Sequence, residues 1–239
     1  MIELRNLTKR YGNVLAVDRL SLSVRKGEIF GFIGPNGAGK TTTLRIMGGI
    51  IAPTEGSVII GGIDMVADPV NAKKQIGFIP DRPFLYEKLT GMEFLRFTAD
   101  LFGTEDGAFE ERSENLLKQF SLCDWADELI ESYSHGMKQR LIISAAVLHK
   151  PEVIVVDEPM VGLDPAGMRM VKRLFRTLGE EGTTIFMSTH TLAMAEDVCD
   201  RIGIINRGVL IATGTVEELR ERAQLKAGDL EEVFLALTG

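Results

Sequence analysis

Cysteine is nearly missing from this chain of 239 residues: only Cys123 and Cys199 occur, in unrelated segments and without metal-like spacing. That excludes a disulfide framework and reads as two reduced thiols of a cytosolic protein. Long apolar runs are missing too. No stretch approaches the ~20 residues that cross a bilayer. Glu3, Arg5 and Lys9 interrupt the start, where a secretory leader would run from basic to apolar. Positive charge is not in excess: 27 Lys and Arg stand against 34 Asp and Glu, a net charge of −7. This argues against general nucleic-acid binding, and no nucleic-acid partner is expected. Internal repeats, low-complexity tracts and sustained heptads are absent as well. What remains is 45% hydrophobic content, enough for one large α/β domain or a core with a subdomain.

One stretch organises the rest: Gly34-Pro35-Asn36-Gly37-Ala38-Gly39-Lys40-Thr41. The apolar run Ile29 to Ile33 before it reads as a buried strand, and the segment from Thr42 to Met47 after it can be helical. This is the strand–loop–helix setting of a P-loop. Glycines let successive N–H groups turn inward around a phosphate. The helix start adds its dipole and unpaired N–H groups. Lys40 is placed for the β- and γ-phosphates and the Thr41 hydroxyl for Mg²⁺; Thr42 continues the nucleotide-binding set.

Around this loop the chain reads as α/β. Ile2 to Leu7 and Leu20 to Val24 alternate like strands, with a turn at Gly12-Asn13, so an antiparallel β layer is expected ahead of the P-loop strand. Short strands follow at Gly56 to Gly61 and Gln75 to Ile79, before Pro80 and Pro83 break the pattern. Met92, Leu95 and Ala99, then Leu116, Leu117 and Phe120, then Leu141, Ala145 and Leu148 fall on helical spacing. Strands return at Val153 to Val156, Thr183 to Met187, Arg201 to Asn206 and Val209 to Thr213. Asp164-Pro165 opens a helix between the first two. The expectation is a P-loop NTPase core with a mainly parallel sheet, residues 1–88 and 151–214, an inserted α-helical subdomain over about 89–150, and a helical tail over about 215–239.

A second constellation ends the strand at Val156: Asp157-Glu158. Mg²⁺ is hard and takes oxygen ligands, which suits Asp157. Glu158 is then placed to orient or deprotonate an attacking water.

With these residues in hand the chain resembles the ATP-binding cassette (ABC) family over essentially its whole length. The resemblance implies that Tyr11 stacks on adenine, that Asp157-Glu158 is the Walker B pair, and that Gly162-Leu163-Asp164 is a D-loop facing an opposite subunit. It implies that His190 contacts the γ-phosphate. Tyr133-Ser134-His135-Gly136-Met137 stands where the family has Leu-Ser-Gly-Gly-Gln. There Ser134 and Gly136 would meet ATP held by the other subunit. His135 replaces a glycine; its imidazole either points to solvent or adds charge near the γ-phosphate. Asp81 stands where the family has glutamine, as a ligand for Mg²⁺ or as a partner of a nearby cation such as Arg82.

The loop Phe84 to Leu89 reads either as core of the helical subdomain or as anchors for a short helix of a membrane subunit. The tail from Gly228 to Leu237 is similar to drug- and lipid-exporter subunits. The resemblance thus implies an ATP-binding, ATP-hydrolysing, Mg-dependent subunit with catalytic Lys40, Glu158 and His190. It would work as a homodimer or heterodimer beneath a transmembrane permease, on the inner face of the cell membrane, with export the expected direction. A soluble ABC ATPase without a transporter and a regulatory module with little turnover are the other readings.

Overall fold

The computed structural model describes residues 1–82, 84–225 and 228–238; Pro83 lies outside the described residues, as does Gly239 at the end of the expected tail. Chain order is β1 (Ile2–Tyr11), β2 (Val14–Val24), β3 (Ile29–Ile33), α1 (Lys40–Met47), β4 (Glu55–Ile60), β5 (Ile63–Asp64), α2 (Pro69–Lys74) and β6 (Ile76–Ile79). Three longer helices follow: α3 (Gly91–Phe102), α4 (Asp106–Gln119) and α5 (His135–Leu148). Then come β7 (Val153–Asp157), α6 (Pro165–Glu180), β8 (Thr184–Thr189), α7 (Leu192–Val198), β9 (Arg201–Asn206), β10 (Val209–Gly214), α8 (Val216–Arg222) and α9 (Leu230–Thr238).

Two sheets form. The first, in order β2-β1-β4-β5, is antiparallel, and it includes the expected N-terminal layer. The second runs β10-β9-β3-β8-β7-β6, parallel throughout except for the β9–β10 hairpin. Every residue of β3 and β7 is buried, which explains their unbroken apolar runs: a parallel strand is covered on both faces. Phe30, Phe32 and Phe186 fill one core together with Leu4, Val17 and Leu44. The Phe30 and Phe186 rings stack at 5.4 Å. Such a buried ring is worth about 3–5 kcal/mol against alanine.

The helical stretch between β6 and β7 packs through an apolar seam that runs on into β7, β8 and α6. Phe94, Leu95, Ala99, Leu117, Phe120, Leu141, Ala145 and Leu148 share one cluster. Thr90 and Glu93 close α3 with a reciprocal capping box. Phe84 corrects one expectation. It is 81% exposed, so it is no part of that core. Tyr86 is half out of it, edge-on to Phe97 at 5.4 Å, while Leu85 packs inward.

What matters for function is the parallel register. Ile33 pairs with Thr189 and Asp157 with Ser188. The turns after β3, β6, β7 and β8 therefore leave the sheet at the same edge, its carboxyl end, where open α/β sheets bind ligands.

Candidate functional site

The loop after β3 is shaped by what it lacks. A Cβ on Gly34 would collide with the Ile205 carbonyl, and one on Gly39 with that of Ala16. Gly39 holds φ 106 and caps α1 without a side chain, leaving the first N–H groups of the helix free. Lys40 is buried and folds back, its Nζ donating to the carbonyls of Gly34 at 2.6 Å and Pro35 at 3.3 Å. Burial pulls its pKa down; the carboxylates of Glu158 and Asp157 pull it back up.

Asp157 ends β7 almost wholly buried, and its Oδ1 accepts from the Ser188 hydroxyl of the neighbouring strand. Glu158 turns the chain with φ 52, and its N–H donates to the Ser188 carbonyl at 3.1 Å. Its carboxylate meets His190 twice. Oε1 lies 2.9 Å from Nδ1, and Oε2 accepts the His190 N–H at 3.3 Å. The imidazole side chain is 61% exposed and the Glu158 side chain 17%, so the pair has one sheltered and one open end.

These groups wall one cavity of about 380 Å³, lined by Ala16, residues 35–42, Asp81, Asp157, Glu158 and His190. Of the nucleotide-binding set, Pro35, Asn36, Gly37, Ala38, Gly39, Lys40, Thr41 and Thr42 are all on the wall. Gly34 lies behind it, bonded to Lys40. Asp81 also stands on the wall.

Besides Gly34, three expected residues do not. Tyr11 is exposed at the end of β1, with Lys9 Nζ 5.2 Å above its ring. Ser134 caps α5, its Oγ accepting the Met137 N–H at 3.3 Å, and Gly136 follows in the first turn; neither lines the cavity. His135 is exposed, yet it does not simply point to solvent. Its ring leans on Gly162. Ser188 and Ala16 are the residues that the sequence reading did not assign to the site. Ser188 is found through strand register; nothing in the sequence marks Ala16.

The donor set fits Mg²⁺. Thr41, Asp157 and Asp81 offer oxygen only, and Asp157 is a buried carboxylate with a single hydroxyl partner. Among the described residues no cluster of three or more His, Cys, Asp or Glu could hold a metal alone. This suits an ion that takes one or two carboxylates and completes its shell with phosphate and water.

Comparison with known proteins meets the same pattern. The family model described as ABC transporter matches residues 17–161. The linearmycin resistance ATP-binding protein LnrL of Bacillus subtilis (strain 168) is 37% identical over 241 residues, covering 98% of this chain and 78% of the relative. A solved ATP-binding subunit of an ABC transporter superposes with TM-score 0.96 at 33% identity, covering 100% of both chains. The dimeric post-hydrolysis state of the ATP-binding cassette MJ0796, bound to ADP and Pi, superposes with TM-score 0.81 at 28% identity, over 90% of this chain and 98% of that one.

Proposed function

The chain belongs to the ABC transporter family, and from that premise we propose that it hydrolyses ATP to drive export through a separate transmembrane partner. The observation that carries this reading is the convergence of Lys40, Asp157, Glu158 and His190 on one cavity at the carboxyl ends of adjacent parallel strands. Export is supported by the resistance function in the name of the Bacillus subtilis relative. A separate partner is supported by the helices: among the described residues none is long and apolar enough to cross a membrane. The subunit would then sit on the inner face of the cell membrane.

The chain's own groups divide the work. The N–H groups of residues 37–41 receive phosphate oxygens at the start of α1. Lys40 exchanges its two backbone carbonyls for the β- and γ-phosphate oxygens, a stronger, charge-assisted pairing. Thr41 and Asp157 would hold Mg²⁺, with Asp81 as a further oxygen; the ion supplies charge neutralisation at the phosphates when bound. Glu158 takes the proton of the attacking water. His190 fixes the Glu158 carboxylate through Nδ1 and keeps its open edge toward the γ-phosphate. Tyr11 would reach adenine from outside the wall. Ser134 and Gly136 would serve a nucleotide bound by a second subunit, identical or not; the dimeric cassette neighbour supports that arrangement.

The test is direct. Purified protein is expected to bind and turn over MgATP, and Lys40→Ala to lower both affinity and turnover at least ~100-fold. Unchanged binding and turnover in that variant would remove the reading. Co-purification in detergent with a membrane protein tests the transport assignment.

A further inference from the structure

His135 stands at the first position of α5, directly after the Ser134 cap. Its ring lies against Gly162: a methyl group built on Gly162 would collide with both Cδ2 and Nε2 of the imidazole. Gly136 closes the same contact from the helix side, where a methyl group would stand 3.1 Å from the Gly162 carbonyl oxygen. Gly162 holds φ +79 and has no side chain, so it presents a bare backbone face that the flat ring can cover.

The loop under the ring is bonded to itself and tied to the start of α6. Val161 N–H donates to the Glu158 carbonyl at 3.3 Å and Leu163 N–H to that of Met160 at 3.2 Å. Leu163 is buried, and Asp164 Oδ1 accepts the Gly167 N–H at 2.8 Å to start α6. Glu158 opens this loop and Gly162 lies four residues on. A push on Gly162 therefore has a short route along this loop to the backbone of Glu158, which carries the carboxylate.

We propose that His135 is a positioning residue: its imidazole wedges the start of α5 against the Gly162 loop, so that displacement of α5 is transmitted to Glu158. This rests on the reading of Glu158 as the base for ATP hydrolysis. The ring acts by shape and contact, not by carrying a proton. It explains why a bulky residue occupies this position opposite Gly162, whose lack of a side chain makes room for the ring. It also ties Ser134 and the loop into one moving unit, since both ends of the contact are fixed to it.

A four-member cycle tests the contact on the full chain without nucleotide: wild type, His135→Ala, Gly162→Ala and the double variant, followed by thermal unfolding. Gly162→Ala suffers backbone strain plus the collision; removing the ring removes the collision. The Tm loss from Gly162→Ala is therefore expected to shrink in the His135→Ala background, a non-additive result. Additive losses would overturn the contact.

Steady-state turnover tests the role. His135→Ala is expected to lower kcat about tenfold with KM for MgATP within about twofold, while His135→Phe, which keeps a flat ring and loses its nitrogens, stays within about threefold of wild type. Wild-type kcat in His135→Ala, or equal loss in Ala and Phe, would overturn the positioning role. Should the wild-type protein itself fail to turn over MgATP, the ATPase reading falls, and the unfolding cycle still decides the contact.

Discussion

Glu158 is the residue on which the proposed chemistry turns. It pairs with His190 from a left-handed backbone, φ 52. A side chain in that region costs about 1–3 kcal/mol, and the surrounding hydrogen bonds, one to the Ser188 carbonyl and one from the His190 N–H, hold it there. The amide of Glu158→Gln keeps the size and loses the base. That variant is expected to bind MgATP as wild type does and to slow single-turnover hydrolysis about 10²–10⁴-fold; undiminished single-turnover hydrolysis would remove Glu158 from the chemistry. Lys40, Asp157 and Glu158 were legible in the sequence because each ends or follows an unbroken apolar run, so the motif and its strand are read together. Ser188 was not. Its hydroxyl meets Asp157 only because β8 pairs with β7 in one register, and register is a property of two distant segments. The environment of His135 was hidden for the same reason: Gly162 is its neighbour in space only.

Among the elements, those with strong periodicity or long apolar runs were legible, and the shortest capped helices were less so. The helix α2 was not anticipated, although Asp68-Pro69 announces its start, and α8 was placed only within a helical tail, although the reciprocal pair Thr215 and Glu218 marks where it begins. Both helices are too short for a periodic apolar face to show. The end of α5 gives a measurable consequence. His149 stacks on Phe102 of α3 with ring centroids 3.7 Å apart, and both ring nitrogens are shut away from solvent. Burial pushes its pKa down to about 4, with the Arg112 guanidinium adding to the shift. The unfolded chain takes up this proton near the ordinary value of about 6.5, whereas the folded protein resists until about 4. Stability from this site is therefore intact above pH ~6.5 and is lost as pH falls toward 4, by about 1 kcal/mol per unit at most. Denaturant midpoints of wild type and His149→Phe between pH 7 and pH 5 are expected to show a shallower acid slope in the variant. Parallel slopes would count against it.

At the scale of the whole molecule, the exposed aromatic edge and the split site belong together. Phe84, 81% exposed, and Tyr86 stand beside the partly exposed Phe97, an apolar group that the described residues leave open to solvent. If it receives the membrane subunit, Phe84→Ala with Tyr86→Ala leaves turnover of the isolated subunit within about twofold and abolishes its stimulation in the membrane complex. Equal loss in both preparations would mark these rings as packing residues instead. The parallel sheet and its four site turns were legible from strand order alone, and a second molecule facing Ser134 and Gly136 was implied by the family resemblance; the structure adds that neither residue lines the cavity of its own chain. If a second copy supplies these two residues, a solitary chain is half an engine. Work per molecule should climb with protein concentration and then level off, tracing a pairing curve, and a rate per molecule that ignores dilution would mean each copy finishes the task alone.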